Sequence, residues 1–495
     1  MQTQTYPSSE AFSKIIAVCL NSIDQLDRTQ VLGIAAGAFT TYYVTKNFLL
    51  DSLRNIPGPF VARLSRFYEV YLKASGKQWI IIHDLHDKDP DAFRQIYGTE
   101  KYKKTPFYQA FSFNGVKNLF TAIDSAEHAR YRRILAPGFS QATLDGLENV
   151  IMNSGVLALL NKFDAKYCDK AVPCNVFTEF GLLSFDVIGE LAYGKSFEMI
   201  KLDSHPFPGW LKVGVEARSH MFPLLTTYPS VNRYPKALDA LFPNAAAAMQ
   251  KILKFSSDSI EERANEKAAG RRDFTQLMLE AINSTDGDVH LTPEEGHVTS
   301  VMLIITGSVT TSTMLTFVTY AVSKHPDVKE KLVQELINAM PDKNATISYK
   351  HARKDCLPYL WAIIMEVSRM YPAIPGGMPR LTPDGGDTIA GQFIPGGTVV
   401  DVPIWSIHHD DSVFEDPFEF KPERWLGEDD ETLMKYNVVF SVGPRMCAGK
   451  NLAMMEMTLT LAHLYRRYDV SLVEPEEDME IIQQFGLLPG KSTPN

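Results

Sequence analysis

The sequence predicts a mainly α, α+β domain: a helical body with a small β-rich region, preceded by a short apolar segment near the N-terminus. Three observations carry this prediction. Apolar residues recur at helical spacing from about residue 120 to 370. Inside that region, Val298 to Ser323 forms a 26-residue stretch without one charged side chain. After Tyr371-Pro372 the pattern changes to β-branched residues between Gly and Pro turns, which suits short strands. Helices in front and strands behind indicate one α-rich domain.

Composition narrows the function classes. The 495 residues are 45% hydrophobic and 22% charged, enough for a deep core and too apolar for disorder. A net charge of −10 and a pI near 5.7 argue against nucleic acid as a general partner. The five cysteines (Cys19, Cys168, Cys174, Cys356, Cys447) are too few and scattered for a disulfide framework or a zinc cluster. A reducing, intracellular compartment suits them.

In chain order, the first element lies between Arg28 and Lys46, where 17 uncharged residues are followed by the apolar "FLL". This is short and threonine-rich for a membrane span of about 20 residues, so hydropathy alone leaves an anchor and a core helix both open. Polar sequence before it, and no small-residue site directly after it, exclude a cleaved signal peptide. "IPGPF" (Ile56 to Phe60) then makes a stiff, extended turn, because proline restricts itself and its predecessor. The expected division is an N-terminal segment 1–28, an apolar helix 29–50, a proline-rich hinge 51–60 and a soluble domain 61–495.

The long uncharged stretch starts at Thr292-Pro293-Glu294-Glu295: an N-cap, a proline in the first turn and two acids at the positive dipole end. It must end before His325-Pro326, where "PDVKEKLVQELINAM" begins another helix. Eleven of its 26 residues are Ser or Thr, clustered round Gly307, which favours a core helix over a membrane span. The strands fall in "GGDTIAGQFIPGGTVVDVPIW"; a helix from near Lys450 and a strand-like tail close the chain.

Chemistry concentrates in "FSVGPRMCAGKNLAMMEM" from Phe440. Cys447 stands between Gly443 and Gly449, with Arg445 two residues before it and a helix directly after. A cysteine at a helix N-terminus meets unpaired N–H groups and the positive dipole end, which favour the thiolate. The glycines let the loop lie flat against a planar partner, and Arg445 offers a cation to something anionic beside the sulfur. Together these features describe a thiolate ligand to haem iron, with the arginine on a propionate. For Cys447 alone, a buried structural thiol fits as well.

The spacing Phe440, Gly443, Arg445, Cys447 and Gly449 matches the F-x-x-G-x-R-x-C-x-G signature, so the chain resembles the cytochrome P-450 family. Five fixed positions match by chance with odds on the order of 1 in 10⁴ or less on average composition. Glu366 and Arg369 on "LPYLWAIIMEVSRMYP" match the family's E-x-x-R, and "FKPERW" matches the segment that follows it. Taken alone, such an i, i+3 pair is usually a surface salt bridge. The resemblance implies a buried network of Glu366, Arg369 and Arg424 that locks the loop behind the haem. In "EHARYRRILAPGFS", His128 and Arg132 resemble W-x-x-x-R with histidine in the tryptophan position. Both, with Arg380 of "GGMPRL", are implied to reach a haem propionate. Arg130 and Arg133 are expected outside, as an exposed basic face that steers an acidic reductase.

The resemblance covers Ile56 to about Pro489 and is nearest to fungal microsomal members of secondary metabolism. It implies haem b, electrons from an NADPH-dependent cytochrome P-450 reductase with cytochrome b5 as a further donor, and an endoplasmic-reticulum anchor with the catalytic domain in the cytosol. It also implies an apolar small substrate. Residues expected to face that substrate lie in Phe111 to Phe120, in "HMFPLLTTYP" (220–229) and on the helix face of Val301 and Ile305, ordinary core packing being the alternative for each.

Two departures stand out. "ITGSVTT" aligns with [A/G]-G-x-[D/E]-T-[T/S] at Thr306, Gly307, Ser308, Val309, Thr310 and Thr311. There the family's glycine opens a groove for dioxygen, its threonine holds the oxygen site, and its acid feeds protons inward. Val309 replaces the acid and can relay no proton, while Thr306 replaces the small residue. Thr310 and Gly307 are expected to shape the oxygen site, with Ser308 or Thr306 standing in for the acid. The loss also opens a second chemistry, rearrangement or dehydration, needing fewer delivered protons. The second departure is an absence: Lys88 runs directly into Asp89-Pro90, where the family has two strands of roughly 15 residues. Either the fold tolerates a reduced sheet, or a piece of the gene is lost and the product is non-catalytic. Exposed edges and unpaired backbone favour the lost piece.

Overall fold

A computed structural model describes residues 27–85, 89–168, 170, 172–203, 205–265, 271–428 and 430–490. The chain divides into two compact units, 1–68 and 69–495. In the first, Asp27 caps the helix Arg28–Val44 by accepting from the Gln30 amide. That helix continues through a π-helical turn, Thr45–Leu49, so the rod reaches about 30 Å. Its apolar side chains stand outward: Leu32 is 69% and Phe39 66% exposed. The expected segment before it falls outside the described residues up to position 26.

The second unit is built round the helix Pro293–Lys324. Thr292 and Glu295 form a reciprocal capping box, each accepting the other's amide. At the far end Pro326 has no N–H to continue the ladder, and the next helix, Pro326–Ala339, begins there. Val298, Val301, Ile304, Leu315, Val318 and Val322 are buried, so this is a core helix as its composition indicates, despite its length and hydropathy. Most of its Ser and Thr hydroxyls are tolerated because they donate to their own helix's carbonyls. Thr306 reaches Met302 at 2.8 Å, Thr311 reaches Gly307 at 3.0 Å, Thr316 reaches Ser312 and Thr319 reaches Leu315, both at 2.8 Å. The helices Val176–Tyr193, Pro358–Met370 and Lys450–Arg467 pack against it. Val301, expected to face substrate, is buried in this core.

Among the described residues, seven strands make three small sheets. β1 (Lys103–Lys104), β2 (Arg380–Leu381) and β5 (Val399–Val400) pair antiparallel in the order β1-β2-β5. β3 (Asp387–Ile389) and β4 (Gln392–Ile394) form a hairpin across Ala390 and Gly391, both at positive φ as a tight primed turn requires. β6 (Ile481–Gln483) pairs with β7 (Leu487–Pro489) near the C-terminus. The helix Gln78–Leu85 ends just before residues 86–88, and Asp89 caps the helix Pro90–Tyr97. Lys88 itself lies outside the described residues. Among the described residues no strand precedes the helix Pro90–Tyr97, and the first sheet is made of strands of two residues each.

Candidate active site

The cysteine loop is positioned by glycine geometry. Gly443 has φ +72°, and a Cβ there would stand 2.4 Å from the Tyr97 carbonyl oxygen and 2.8 Å from Gly98 Cα. Only glycine lets this loop seat on the end of helix Pro90–Tyr97. A short 3₁₀ turn, Gly443–Arg445, follows, and the Cys447 amide donates to the Phe440 carbonyl at 2.9 Å. The Gly449 and Lys450 amides, at the start of the helix Lys450–Arg467, donate to the Cys447 sulfur. These donors and the Arg132 charge pull toward thiolate, while burial pushes the thiol up and dominates. A coordinated cation reverses that balance, since a metal-bound thiol loses its proton outright. Cys447 nevertheless keeps accessible surface. Accessible surface on a group that protein surrounds faces an interior space, not bulk water.

Beside the sulfur lies a basic cluster. Lys104 (β1), His128 and Arg132 (helix Ser125–Leu135), Arg380 (β2) and Arg445 stand close enough to perturb one another. Burial drives the Lys104 ammonium well below its usual range, and Arg380 and Arg445 add to this. Burial likewise takes His128 down to about 3, with Arg445 and Lys104 the next causes. Among the described residues the acid in the cluster is Glu100, 3.3 Å from Arg445. Buried cations with so little counter-charge are costly unless an anion joins them. The set fits the two propionates of haem b.

The individual bonds divide the cluster. Arg445 donates to the Ala122 carbonyl at 2.7 Å, to Ile123 at 3.1 Å and to Glu100, so much of its guanidinium pins the loop to residues 122–123. Arg380 uses one nitrogen on the Tyr108 hydroxyl, 2.5 Å, and on the Met378 and Pro379 carbonyls. Arg132 donates to Met446 at 3.2 Å. Arg130, expected outside, instead pairs with Glu295 at 2.5 Å and ties its helix to the start of the central one; Arg133 is exposed against Asp288. Sequence reasoning missed Lys104 and Tyr108. Their one signal was the basic run "KYKKTPFY", in which a single lysine turns inward.

On the central helix, Thr306 keeps exposed surface and Ile305, Val309 and Thr310 are half-buried, in the middle of an otherwise buried rod. Thr306 and Thr310 are four apart and share a face, so that face opens inward. The Thr310 hydroxyl donates to the Thr306 carbonyl at 2.7 Å. Two expectations need correction here. Ser308 is fully buried on another face, donating to the Ile304 carbonyl at 2.7 Å, and cannot stand in for the acid. Gly307 faces the helix Val176–Tyr193: a Cβ there would stand 3.0 Å from Ile188 Cδ1 and Cγ1. It serves close packing of two helices, not a groove for dioxygen.

The ion network assembles fully. The buried Glu366 carboxylate accepts from Arg369 Nε (2.9 Å) and Nη2 (2.8 Å), from Arg424 Nε (3.0 Å), from the Lys421 amide (3.0 Å) and from Trp425 Nε1 (2.9 Å). Arg369 also donates to the carbonyls of His408 and Pro417. Trp425 was not anticipated, although it directly follows Arg424 in the motif. Toward the N-terminal half of the unit, Phe111 meets Phe120, Phe222 and Phe485 at centroid distances of 5.2, 5.1 and 4.8 Å, an aromatic wall from four separate segments. Phe485 carried no sequence signal.

Comparison with known proteins agrees with this geometry. The cytochrome P-450 family profile matches residues 42–493. A cytochrome P-450 monooxygenase, BOT4, of Botryotinia fuckeliana is 31% identical over 456 residues, covering 87% of this chain and 83% of the relative. Tryprostatin B 6-hydroxylase of Neosartorya fischeri is 31% identical over 471 residues, covering 89% and 80%. The crystal structure of cytochrome P450DA heme domain shares the fold, with a TM-score of 0.69 over 81% of this chain and 85% of its own at 20% identity. The chain belongs to the cytochrome P-450 family and is a haem-thiolate monooxygenase.

Proposed function

We propose that this monooxygenase hydroxylates, epoxidises or desaturates an apolar secondary metabolite such as a polyketide or terpenoid. Haem b, when bound, supplies dioxygen activation with electrons from NADPH delivered by a cytochrome P-450 reductase, with cytochrome b5 as a possible second donor. The observation that carries the reading is Cys447: a thiol deep in protein, at a helix start, with inward surface and a buried basic cluster beside it. Cys447 holds the iron; His128, Arg132, Arg380, Arg445 and Lys104 hold the propionates; Phe440, Gly443 and Gly449 shape the loop. Glu366, Arg369 and Arg424 fix the segment behind it. The outward apolar side chains of the helix Arg28–Val44 support a single-pass anchor over 29–50 in the endoplasmic-reticulum membrane, with the hinge 51–60 and the catalytic domain 61–495 on the cytosolic side.

In the site, Thr310 holds the oxygen side. Its proton is spent on the Thr306 carbonyl, so its lone pairs accept from a water. Val309 relays nothing. The Thr306 hydroxyl on the same face likewise gives its proton to the Met302 carbonyl, so it too meets a water through its lone pairs. Purified protein should give a reduced carbon-monoxide difference band at about 450 nm that Cys447→Ala abolishes; no such band in the wild type overturns the reading, and supports the non-catalytic product that the short 86–88 connection suggests. A second reading, rearrangement or dehydration, rests on Val309. Val309→Glu raises product formed per NADPH if proton delivery limits ordinary oxidation; unchanged or lower coupling favours the second reading.

A further inference from the structure

Lys104 is buried and stands opposite Arg380 across the β1-β2 ladder. Its ammonium donates to the Phe120 carbonyl at 2.5 Å. It also lies 4.4 Å from the centre of the Tyr108 ring and 5.1 Å from that of Phe120, two rings set edge to face 5.5 Å apart. One ammonium thus holds Phe120 twice, by its peptide oxygen and by its ring. The other peptide group of the same residue is fixed by the fully buried Asn118, whose Oδ1 accepts the Phe120 amide at 2.9 Å and the Thr121 amide at 3.1 Å. Arg445 takes two further carbonyls, those of Ala122 and Ile123. Residues 118–123 belong to no helix or strand, so these side chains set the path of their backbone. The Phe120 ring in turn meets Phe111 at 5.2 Å and Phe485 at 6.2 Å. A chain of direct contacts therefore runs from the basic cluster to the aromatic wall.

A carbonyl in a turn needs a donor but not a charged one, and an amide or a water serves without the cost of burying an ammonium. A cation here adds what a neutral donor lacks, because it fixes the ring together with the peptide. We propose that Lys104 is a positioning residue for substrate, setting where the Phe120 ring stands in the wall and so how tightly an aromatic body is taken. This rests on the reading that the wall faces substrate. It is compatible with a hold on a propionate, since an ammonium has three hydrogens and the Phe120 carbonyl takes one.

The haem-loaded enzyme is titrated with 1-methylimidazole and with 1-(biphenyl-4-ylmethyl)imidazole, each read by the haem absorbance shift on ligating iron. Both bind through the same ring nitrogen, so the ratio of their affinities cancels a change at the iron or its thiolate. The wild type is expected to prefer the biphenyl ligand by about a hundredfold. Lys104→Met, which keeps the apolar stem, should cut that preference about tenfold; Lys104→Arg, which keeps a charged donor, should cut it by less than about threefold. A preference that survives Lys104→Met while Phe120→Ala lowers it overturns the proposal and leaves the wall in place. An equal loss in Lys104→Met and Lys104→Arg overturns it too. A preference that survives both Lys104→Met and Phe120→Ala overturns the reading of the wall, and the proposal with it. Hydrogen exchange of the Phe120 and Thr121 amides in the full chain decides the matter even if Lys104→Met loads no haem. Exchange about tenfold faster than in the wild type is expected, and an unchanged rate overturns the proposal. The carbon-monoxide band of the same preparation reports separately on the thiolate.

Discussion

Glu456 carries a pH dependence whose size follows from its surroundings. It lies on the helix Lys450–Arg467, fully buried, and accepts one hydrogen bond, from the Ser184 hydroxyl at 2.6 Å. Burial raises its pKa from 4.5 to about 7, against a smaller lowering by Ser184. Folded protein therefore binds a proton that the unfolded chain has released, between about pH 4.5 and 7. Stability falls as pH rises through that window, and the full penalty is present above it. At 1.36 kcal/mol per tenfold change in proton affinity, the penalty is about 3 kcal/mol. Glu456→Gln cannot titrate, so it should gain about 2.5 kcal/mol on the wild type between pH 5, where a little of the penalty is already present, and pH 8, whatever its constant cost to packing. Urea unfolding of both proteins at the two pH values, with the denaturant slope unchanged, measures this double difference. Equal differences at the two pH values would refute the reasoning, because a carboxyl already ionised at pH 5 gives none.

Three further outcomes follow from the geometry. Glu366→Ala strands two buried guanidiniums, the Lys421 amide and the Trp425 indole N–H, at a cost of roughly 3 to 5 kcal/mol; haem content and unfolding midpoint should both fall, and a loss below about 1 kcal/mol would show that water replaces the carboxylate. Gly307→Val overpacks Ile188 and should cost about 2 kcal/mol by thermal unfolding, most of it recovered in an Ile188→Ala background; no recovery would place the clash elsewhere. Thr306→Ala should lower product formed per NADPH by about fivefold, the equivalent of one hydrogen bond of about 1 kcal/mol, whereas Ser308→Ala leaves coupling unchanged because its hydroxyl is turned into the core.

Much of this architecture was legible because local signals agreed with global ones. Thr292-Pro293-Glu294-Glu295 announced a helix start that the capping box confirms, and proline at 326 announced its end. The spacing round Cys447 set a loop and a helix start together, and the amides of Gly449 and Lys450 do aim at the sulfur. Glu366 and Arg369 were legible as a pair, but the burial that turns a weak surface bridge into a five-donor hub depends on Lys421 and Trp425, 55 and 59 positions away. Gly307 and Ser308 were misplaced for a different reason. Successive helix positions differ by about 100°, so neither shares the face of Thr306 and Thr310; the motif was taken as a block when its phase already separated its members. Lys104 was illegible, because which lysine of "KYKK" turns inward depends on contacts that no local pattern encodes.

The central helix holds eleven Ser and Thr hydroxyls in its uncharged stretch, yet this abundance does not make it a proton wire. Thr306, Ser308, Thr310, Thr311, Ser312, Thr316 and Thr319 each give their hydrogen to a carbonyl three or four residues back. A hydroxyl so committed can accept a proton but cannot pass one on without first breaking its own bond. With Val309 at the acid position, no side chain of the inward face holds a proton free to give. Two sources then remain for the oxygen site: water that the Thr310 lone pairs order, or a donor carried by the substrate. A substrate that carries an acidic hydrogen of its own should then turn over with better coupling than an analogue of the same shape without one. Equal coupling for the two would leave ordered water as the source.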